Sequence, residues 1–358
     1  MLSGLTNYGA ISAKISVMKR RLLSQNDYLE LIQKTTVAEA AQYLKNETAY
    51  SSVLSEVKEN TLHRGDLELL LRKSYAEDVA RLYKFDNGEN RQLYSYVIMK
   101  AEIELMKNIL RRLNNNDENE DIYNYPSFFT RHFTIQPQQL IQSKNIGEFL
   151  ENLSGSRYYE VVSPLLSLAE HRNFFGVETT LDTYYRDEVS KLIASMPDKE
   201  NRKVIGMTNG SEVDARNLLC IYRCKEYFGT PPELIYSILL PNRYKLSKAD
   251  IIAYTEAKTT EEFLTMARNS AYRSLFTPRA DGFYDRNYAS FVYSLHKKAA
   301  KQYPYTIEAA VSYLHFKETE LQNITSVIEG IRYGLPTEEI TSYITGFHFD
   351  SANRQYEK

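Results

Sequence analysis

Tryptophan is absent from the 358 residues, cysteine occurs only twice, and glycine and proline are scarce, at 14 and 10. Glycine plus proline averages about 12% in ordinary proteins, so a share this low disfavours turn-rich β architecture and favours helices. Cys220 and Cys224 are too few for a disulfide framework, and their spacing suits neighbours on one helix face, which points to a reducing compartment. An excess of one charge is missing too. Lys plus Arg total 44 against 46 for Asp plus Glu, so no broad positive field exists for nucleic acid or an anionic membrane. No segment reaches the roughly 18 apolar residues that a bilayer span needs, and no apolar run follows a basic start. Membrane association is therefore expected only through another protein, without direct bilayer insertion.

Catalytic grammar is equally sparse. The chain has no Gly-x-x-x-x-Gly-Lys loop and no Gly-x-Gly-x-x-Gly, so nothing supports a phosphate cradle. Its histidines, at 63, 132, 171, 296, 315 and 348, show no pair at ligand spacing on a helix, and neither a metal nor a cofactor is expected. Asp117-Glu118-x-x-Asp121 superficially matches the magnesium motif of helical prenyl-transfer enzymes. It follows three asparagines in a polar run, which reads as a solvated connector instead.

What the chain does contain is a repeat. Thr36-Val-Ala-Glu39 has the form of a capping box, in which the threonine hydroxyl accepts from the first helical turn and the glutamate reaches back. Asn145-Ile-Gly-Glu148 and Thr259-Thr-Glu-Glu262 repeat it, each followed by Phe-Leu. A tyrosine follows each box a few turns later: Tyr50, then Tyr158 or Tyr159, then Tyr272. Self-similarity over so long a period implies copies the size of small helical domains. They are placed at 1–120, 121–240 and 241–358.

Helical periodicity fills in each copy. Ile11, Ile15, Met18 and Leu22 line one face of an early helix. Leu67, Leu71, Tyr75, Val79 and Leu82 form a stripe that ends near Asp86-Asn-Gly88, and Tyr94 to Ile109 form another. A shift of 110 places Leu71 on Leu181, Tyr75 on Tyr185, Val79 on Val189 and Leu82 on Leu192. The same shift takes Glu102 to Glu212 and Glu104 to Asp214, on a helix expected to open at the turn Thr208-Asn-Gly-Ser211. A shift of 106 takes Glu212, Asp214 and Asn217 to Glu318, Glu320 and Asn323. The exits correspond as well, Tyr-Phe-Gly229-Thr-Pro231 with Arg-Tyr-Gly334-Leu-Pro336. Two readings of the recurring acids stay open: charges that satisfy helix ends and neighbouring cations, or a lining shared around a central surface.

Three stretches carry a family resemblance that runs nearly end to end. They are the opening Tyr8-Gly-Ala-Ile-Ser-Ala-Lys-Ile-Ser-Val-Met-Lys-Arg-Arg-Leu-Leu23, the Thr35 to Tyr50 segment, and Glu212-Val-Asp-Ala-Arg-Asn-Leu-Leu-Cys-Ile-Tyr-Arg-Cys-Lys225. The chain resembles the C-type subunits of A-type and V-type rotary ATPases, counterparts of the d-type subunits of eukaryotic V-ATPases. Lys14 and Ser16 stand where relatives often carry arginine. The resemblance implies an all-α fold of three similar helical domains arranged as a pseudo-threefold funnel. It also implies a non-catalytic rotor part on the cytoplasmic face, with its broad end on the proteolipid rotor ring and its cavity around the foot of central-stalk subunits of D and F type. On that footing Glu102, Glu104, Glu212, Asp214, Asn217, Arg223, Glu318, Glu320 and Asn323 are the candidates for partner contact or cavity lining. The alternative is an all-helical scaffold or adaptor with unrelated partners.

Overall fold

The computed structural model describes residues 2–55, 64–86, 91–115, 125–166, 174–241, 243–278 and 284–347, and these form helices joined by short connections, with no strand among them. The chain falls into two compact units, one of residues 1–75 with 278–358 and one of residues 76–277.

The first unit begins with α1 (Leu2–Lys19), α2 (Gln25–Ile32), α3 (Val37–Glu47) and α4 (Ser51–Leu54). It also takes the first part of α5 (Arg64–Phe85), which carries the chain onward. The second unit holds the long α6 (Arg91–Asn115) and the short α7 (Ser127–His132), α8 (Pro137–Ile141), α9 (Ile146–Leu153) and α10 (Tyr159–Leu166). Next come α11 (Phe174–Ser195), the long α12 (Lys199–Phe228), α13 (Pro232–Ile238), α14 (Lys248–Glu256), α15 (Thr260–Arg268) and a 3-10 turn at Arg273–Phe276. The chain then returns to the first unit with α16 (Asp285–Gln302), α17 (Glu308–Arg332) and α18 (Thr337–Tyr343). Residues 117, 118 and 121, the acidic run of the sequence, lie outside the described residues, as do 87–88 and 279–283.

The three repeated N-termini fold alike. Thr36, Asn145 and Thr259 each take an extended N-cap conformation and accept from the N–H three residues on, at 3.1, 3.0 and 3.1 Å. The glutamate, however, reaches one residue further back than in a capping box. Glu39, Glu148 and Glu262 accept from the backbone N–H of Thr35, Lys144 and Lys258, at 2.8, 2.8 and 2.7 Å. Full capping boxes occur instead at Ser24 with Asp27 and Ser247 with Asp250, each opening the helix before a repeated cap. The exits match as well: Gly229 and Gly334 adopt left-handed φ of 54° and 64°, which lets a helix stop without a Cβ penalty. Pro126, Pro231 and Pro336 then stand at the N-caps of α7, α13 and α18.

One expectation is corrected. Thr208-Asn-Gly-Ser211 does not open a helix; α12 starts at the Asp198 cap and runs straight through it. Gly210 meets a packing need, because a Cβ there would stand 2.6 Å from Cβ of Tyr244. Gly330 in α17 is similarly close to α18, where an added Cβ would meet Cγ1 of Ile340 at 2.5 Å. Overpacking of this kind costs about 1–3 kcal/mol. Thermal melts of Gly330→Ala should show a loss of that size, and its combination with Ile340→Ala should cost less than the two changes summed.

Each long helix buries one face under short capped helices. In the first unit Ile324, Val327, Ile328 and Ile331 of α17 share a core with Leu31, Ala40, Leu44 and Leu54. In the second, Met106, Ile109 and Leu110 of α6 pack with Leu140, Phe149, Leu153 and Val162. Tyr222 of α12 meets Phe263 and Phe276 with ring centroids 6.2 and 6.0 Å apart.

Candidate functional site

Within each of these cores lies a buried carboxylate, and its position on the long helix decides what it can reach. Glu102 of α6 accepts from the backbone N–H and hydroxyl of Thr134, just before α8, from the Arg157 guanidinium at 2.9 Å, and from the Tyr158 hydroxyl. Asp214 of α12 accepts from the N–H groups of Tyr244, Lys245 and Leu246, just before α14, at 3.0, 2.6 and 3.1 Å, and from the Tyr272 hydroxyl at 2.6 Å. Glu320 of α17 accepts from the N–H of Leu23, just before α2, from the Tyr50 hydroxyl at 2.7 Å and from the Lys317 ammonium at 2.9 Å. In all three, one carboxylate ties the start of a capped helix group to the tyrosine at its end.

The tyrosine is itself set by a repeated turn. Its N–H donates to a hydroxyl two residues earlier, from Tyr50 to Thr48 at 3.2 Å, Tyr158 to Ser156 at 3.3 Å and Tyr272 to Ser270 at 3.0 Å. A cation flanks two of the rings, with Arg157 5.0 Å from the Tyr158 centroid and Lys317 4.1 Å from that of Tyr50. One turn beyond two of the acids an amide clasps the chain. Asn217 exchanges two hydrogen bonds with the backbone of Leu240, at 2.9 and 2.8 Å, and Asn323 does the same with Thr345, at 2.9 and 2.9 Å.

Burial, and next the adjoining carboxylate, raise the pKa of Tyr50, Tyr158 and Tyr272 well above the usual tyrosine value. A native pKa above the unfolded one means that the folded protein keeps protons the unfolded chain would release. The stabilisation is complete below about pH 10, where free tyrosine ionises, and is lost as pH rises beyond it. Melting temperature should therefore fall steeply above about pH 10, together with the tyrosinate absorbance rise. Tyr158→Phe should melt lower at neutral pH, yet with a shallower alkaline decline.

In each of these networks both carboxylate oxygens accept hydrogen bonds, which fixes the side chain in place. No cluster of three or more His, Cys, Asp or Glu side chains able to hold a metal occurs among the described residues. Two distant histidines do converge. His296 and His315 stack with centroids 4.6 Å apart, and the His296 Nδ1 lies 2.9 Å from Glu308, which also accepts from Ser312 at 2.7 Å. Both cysteines are free thiols. Among the described residues no helix is long and apolar enough to cross a membrane.

The family model for the ATP synthase (C/AC39) subunit matches residues 11–343, all but the two ends of the chain. The chain belongs to that family. Relatives of this C/AC39-family protein include three archaeal proteins, each named as the C-type subunit of an A-type ATP synthase. The one from Methanocaldococcus jannaschii is 21% identical over 96% of this chain and 88% of its own length. That of Methanosarcina mazei is 23% identical over 94% and 92%, and that of Archaeoglobus fulgidus 24% over 92% and 94%.

The C/AC39-family protein distributes the sequence candidates unevenly. Glu102, Asp214, Asn217, Glu320 and Asn323 are buried in the junctions just described. Glu212 is half-buried and pairs with Arg186 at 2.6 Å and Arg216 at 3.6 Å. Glu318 is half-buried, whereas Glu104 and Arg223 are exposed. The equivalence of Glu102 with Glu212 and of Glu104 with Asp214 is corrected: by its bonds Glu102 corresponds to Asp214 and to Glu320, a shift of 112 and then 106. Tyr158, rather than Tyr159, is the repeated tyrosine. Sequence reading missed Thr48, Ser156 and Ser270, although a hydroxyl two residues before each tyrosine was visible in the sequence. It missed Arg157 and Lys317 too, and no local pattern marked them.

Proposed function

We propose that this protein is the central-rotor socket of a V-type or A-type ATPase. It joins central-stalk subunits of D and F type to the proteolipid rotor ring and passes torque between them during ATP-driven ion transport, with no bond chemistry of its own. In this reading copies 1–120, 121–240 and 241–358 make a pseudo-threefold funnel on the cytoplasmic side, peripheral to the membrane through the ring. Glu104, Glu212, Arg223 and Glu318 retain surface for contacts with stalk or ring.

One observation carries the proposal. The long helix of each copy receives the capped helices of the next, and the last long helix, α17, receives those of the first, through Glu320 and Tyr50. The same junction recurring in each copy, with the first and last segments of the chain sharing one of them, is what a ring of alike copies calls for. Buried, fully bonded carboxylates inside close-packed helices also resist shear, which a torque-bearing part requires.

The test is affinity purification of the tagged protein from detergent-solubilised membranes. Recovery with a proteolipid and stalk subunits is expected. A wholly soluble pool lacking both would favour a scaffold with other partners.

A further inference from the structure

Charge is nearly balanced over the whole chain, 44 basic against 46 acidic residues, but it is unevenly placed. No Asp or Glu occurs from Tyr8 to Asn26 or from Arg286 to Ile307, and the acid that follows the second stretch, Glu308, is buried. The fold brings these two stretches together on α17. Phe316 of α17 has the Lys19 ammonium of α1 5.4 Å from its ring centroid and the Tyr293 ring of α16 4.9 Å away. Further back along α1, the Ser12 hydroxyl donates to the Pro304 carbonyl, just beyond the end of α16, at 2.6 Å. The two helices therefore run alongside each other in opposite directions. Lys14, Arg20 and Arg21 belong to one or to its end, and Lys297, Lys298 and Lys301 to the other.

All of these six cations are exposed except Lys14, which is half-buried, and none of them pairs with a described acid. Exposed cations elsewhere do find partners: Arg111 meets Glu178 at 2.7 Å and Lys191 meets Glu188 at 2.7 Å. Like charges with no acid between them repel one another, a cost that a complementary anionic surface removes. We propose that the face of the first unit formed by α1 and α16 docks on the phosphate headgroups of an anionic lipid bilayer, without insertion. Lysine predominates in the set, and its ammonium is a hydrated point charge on a flexible stem, suited to headgroups that offer phosphate without fixed geometry. The core of a protein interface is instead depleted in lysine. Val17 and Tyr305 stand 58% and 44% exposed in the same span, offering apolar contact at headgroup level. Each basic side chain held near an anionic surface strengthens attachment about five-fold. The contact is with lipid itself, so it stands independently of any seat on a rotor ring.

Co-sedimentation of the full chain with lipid vesicles tests the docking face. The protein should bind vesicles of phosphatidylcholine and phosphatidylglycerol in equal parts, ignore vesicles of phosphatidylcholine alone, and be released at about 1 M salt, where the Debye length is about 3 Å. Lys298→Gln should weaken binding about five-fold, and Lys297→Gln, Lys298→Gln and Lys301→Gln combined about a hundred-fold, with melting temperature unchanged. Lys191→Gln, in the second unit, should leave binding as it was. Failure of the unaltered protein to bind the anionic vesicles would overturn the proposal, as would a triple variant that binds like the original. If the unaltered protein ignores vesicles while the triple variant no longer purifies with its partner subunits, the face docks on protein and the lipid assignment falls.

Discussion

Asp214→Ala lowers the melting temperature of the isolated protein by on the order of 10 °C, the largest effect expected of any single side chain here. The reason is the number of groups it orphans. Three backbone N–H donors and one tyrosine hydroxyl, all directed at a carboxylate with no exposed surface, lose their acceptor at once. Each unsatisfied buried donor costs about 1–3 kcal/mol. Partial relaxation and entering water bring the sum to about 3–5 kcal/mol. Asp214→Asn keeps one acceptor oxygen but turns an amide donor toward N–H donors, so it should fall between Ala and the original. Calorimetry of the two variants checks the ranking, and losses below about 1 kcal/mol for both would remove Asp214 from its structural role.

The second large effect is at Glu320, and its size depends on Lys317. Glu320→Ala strands a buried ammonium along with the Tyr50 hydroxyl and the Leu23 N–H. Breaking one side of a buried ion pair costs about 3–5 kcal/mol. Removing the cation as well should reverse much of this: Lys317→Met with Glu320→Gln leaves no unpaired charge, and the glutamine oxygen still accepts from Tyr50. The double variant is therefore expected to be more stable than Glu320→Ala alone. Denaturant melts of the unaltered protein, Lys317→Met, Glu320→Gln and the double variant give the coupling, with Glu320→Ala as the reference for the stranded ammonium. A double variant as unstable as Glu320→Ala would mean that the stranded ammonium is not what makes Glu320→Ala costly.

Much of the local architecture was legible because its causes are local. Threonine and asparagine before an apolar run, a glutamate three residues later, glycine and proline at the exits and a 3.6-residue stripe all fix short stretches of backbone. α5 and α6 accordingly run over the stripes that the pattern placed at Leu67 to Leu82 and Tyr94 to Ile109. What escaped depends on residues far apart in the chain. Nothing near Tyr50 signals that its acceptor lies 270 positions away. The two-residue error at Glu102 arose because α12 extends back to Lys199, so a register taken from α5 and α11 does not carry through to the next helix. Gly210 misled for a related reason: its smallness answers to Tyr244, a residue 34 positions on, rather than to a turn.

The carboxylates themselves illustrate the same limit. Their recurrence was visible, but burial was not, and burial separates Glu102, Asp214 and Glu320, which hold the fold, from Glu104 and Arg223, which remain on the surface. The surface set is where substitutions should alter partner binding without altering stability.

The most direct measurement is an electron cryomicroscopy map of the complex solubilised from membranes. The account predicts density for this protein between the proteolipid ring and the central stalk, with α6, α12 and α17 related by successive rotations of about one third of a turn and the first capped helices closing on α17. A chain laid out as an open row, or bound away from the rotor axis, would contradict it.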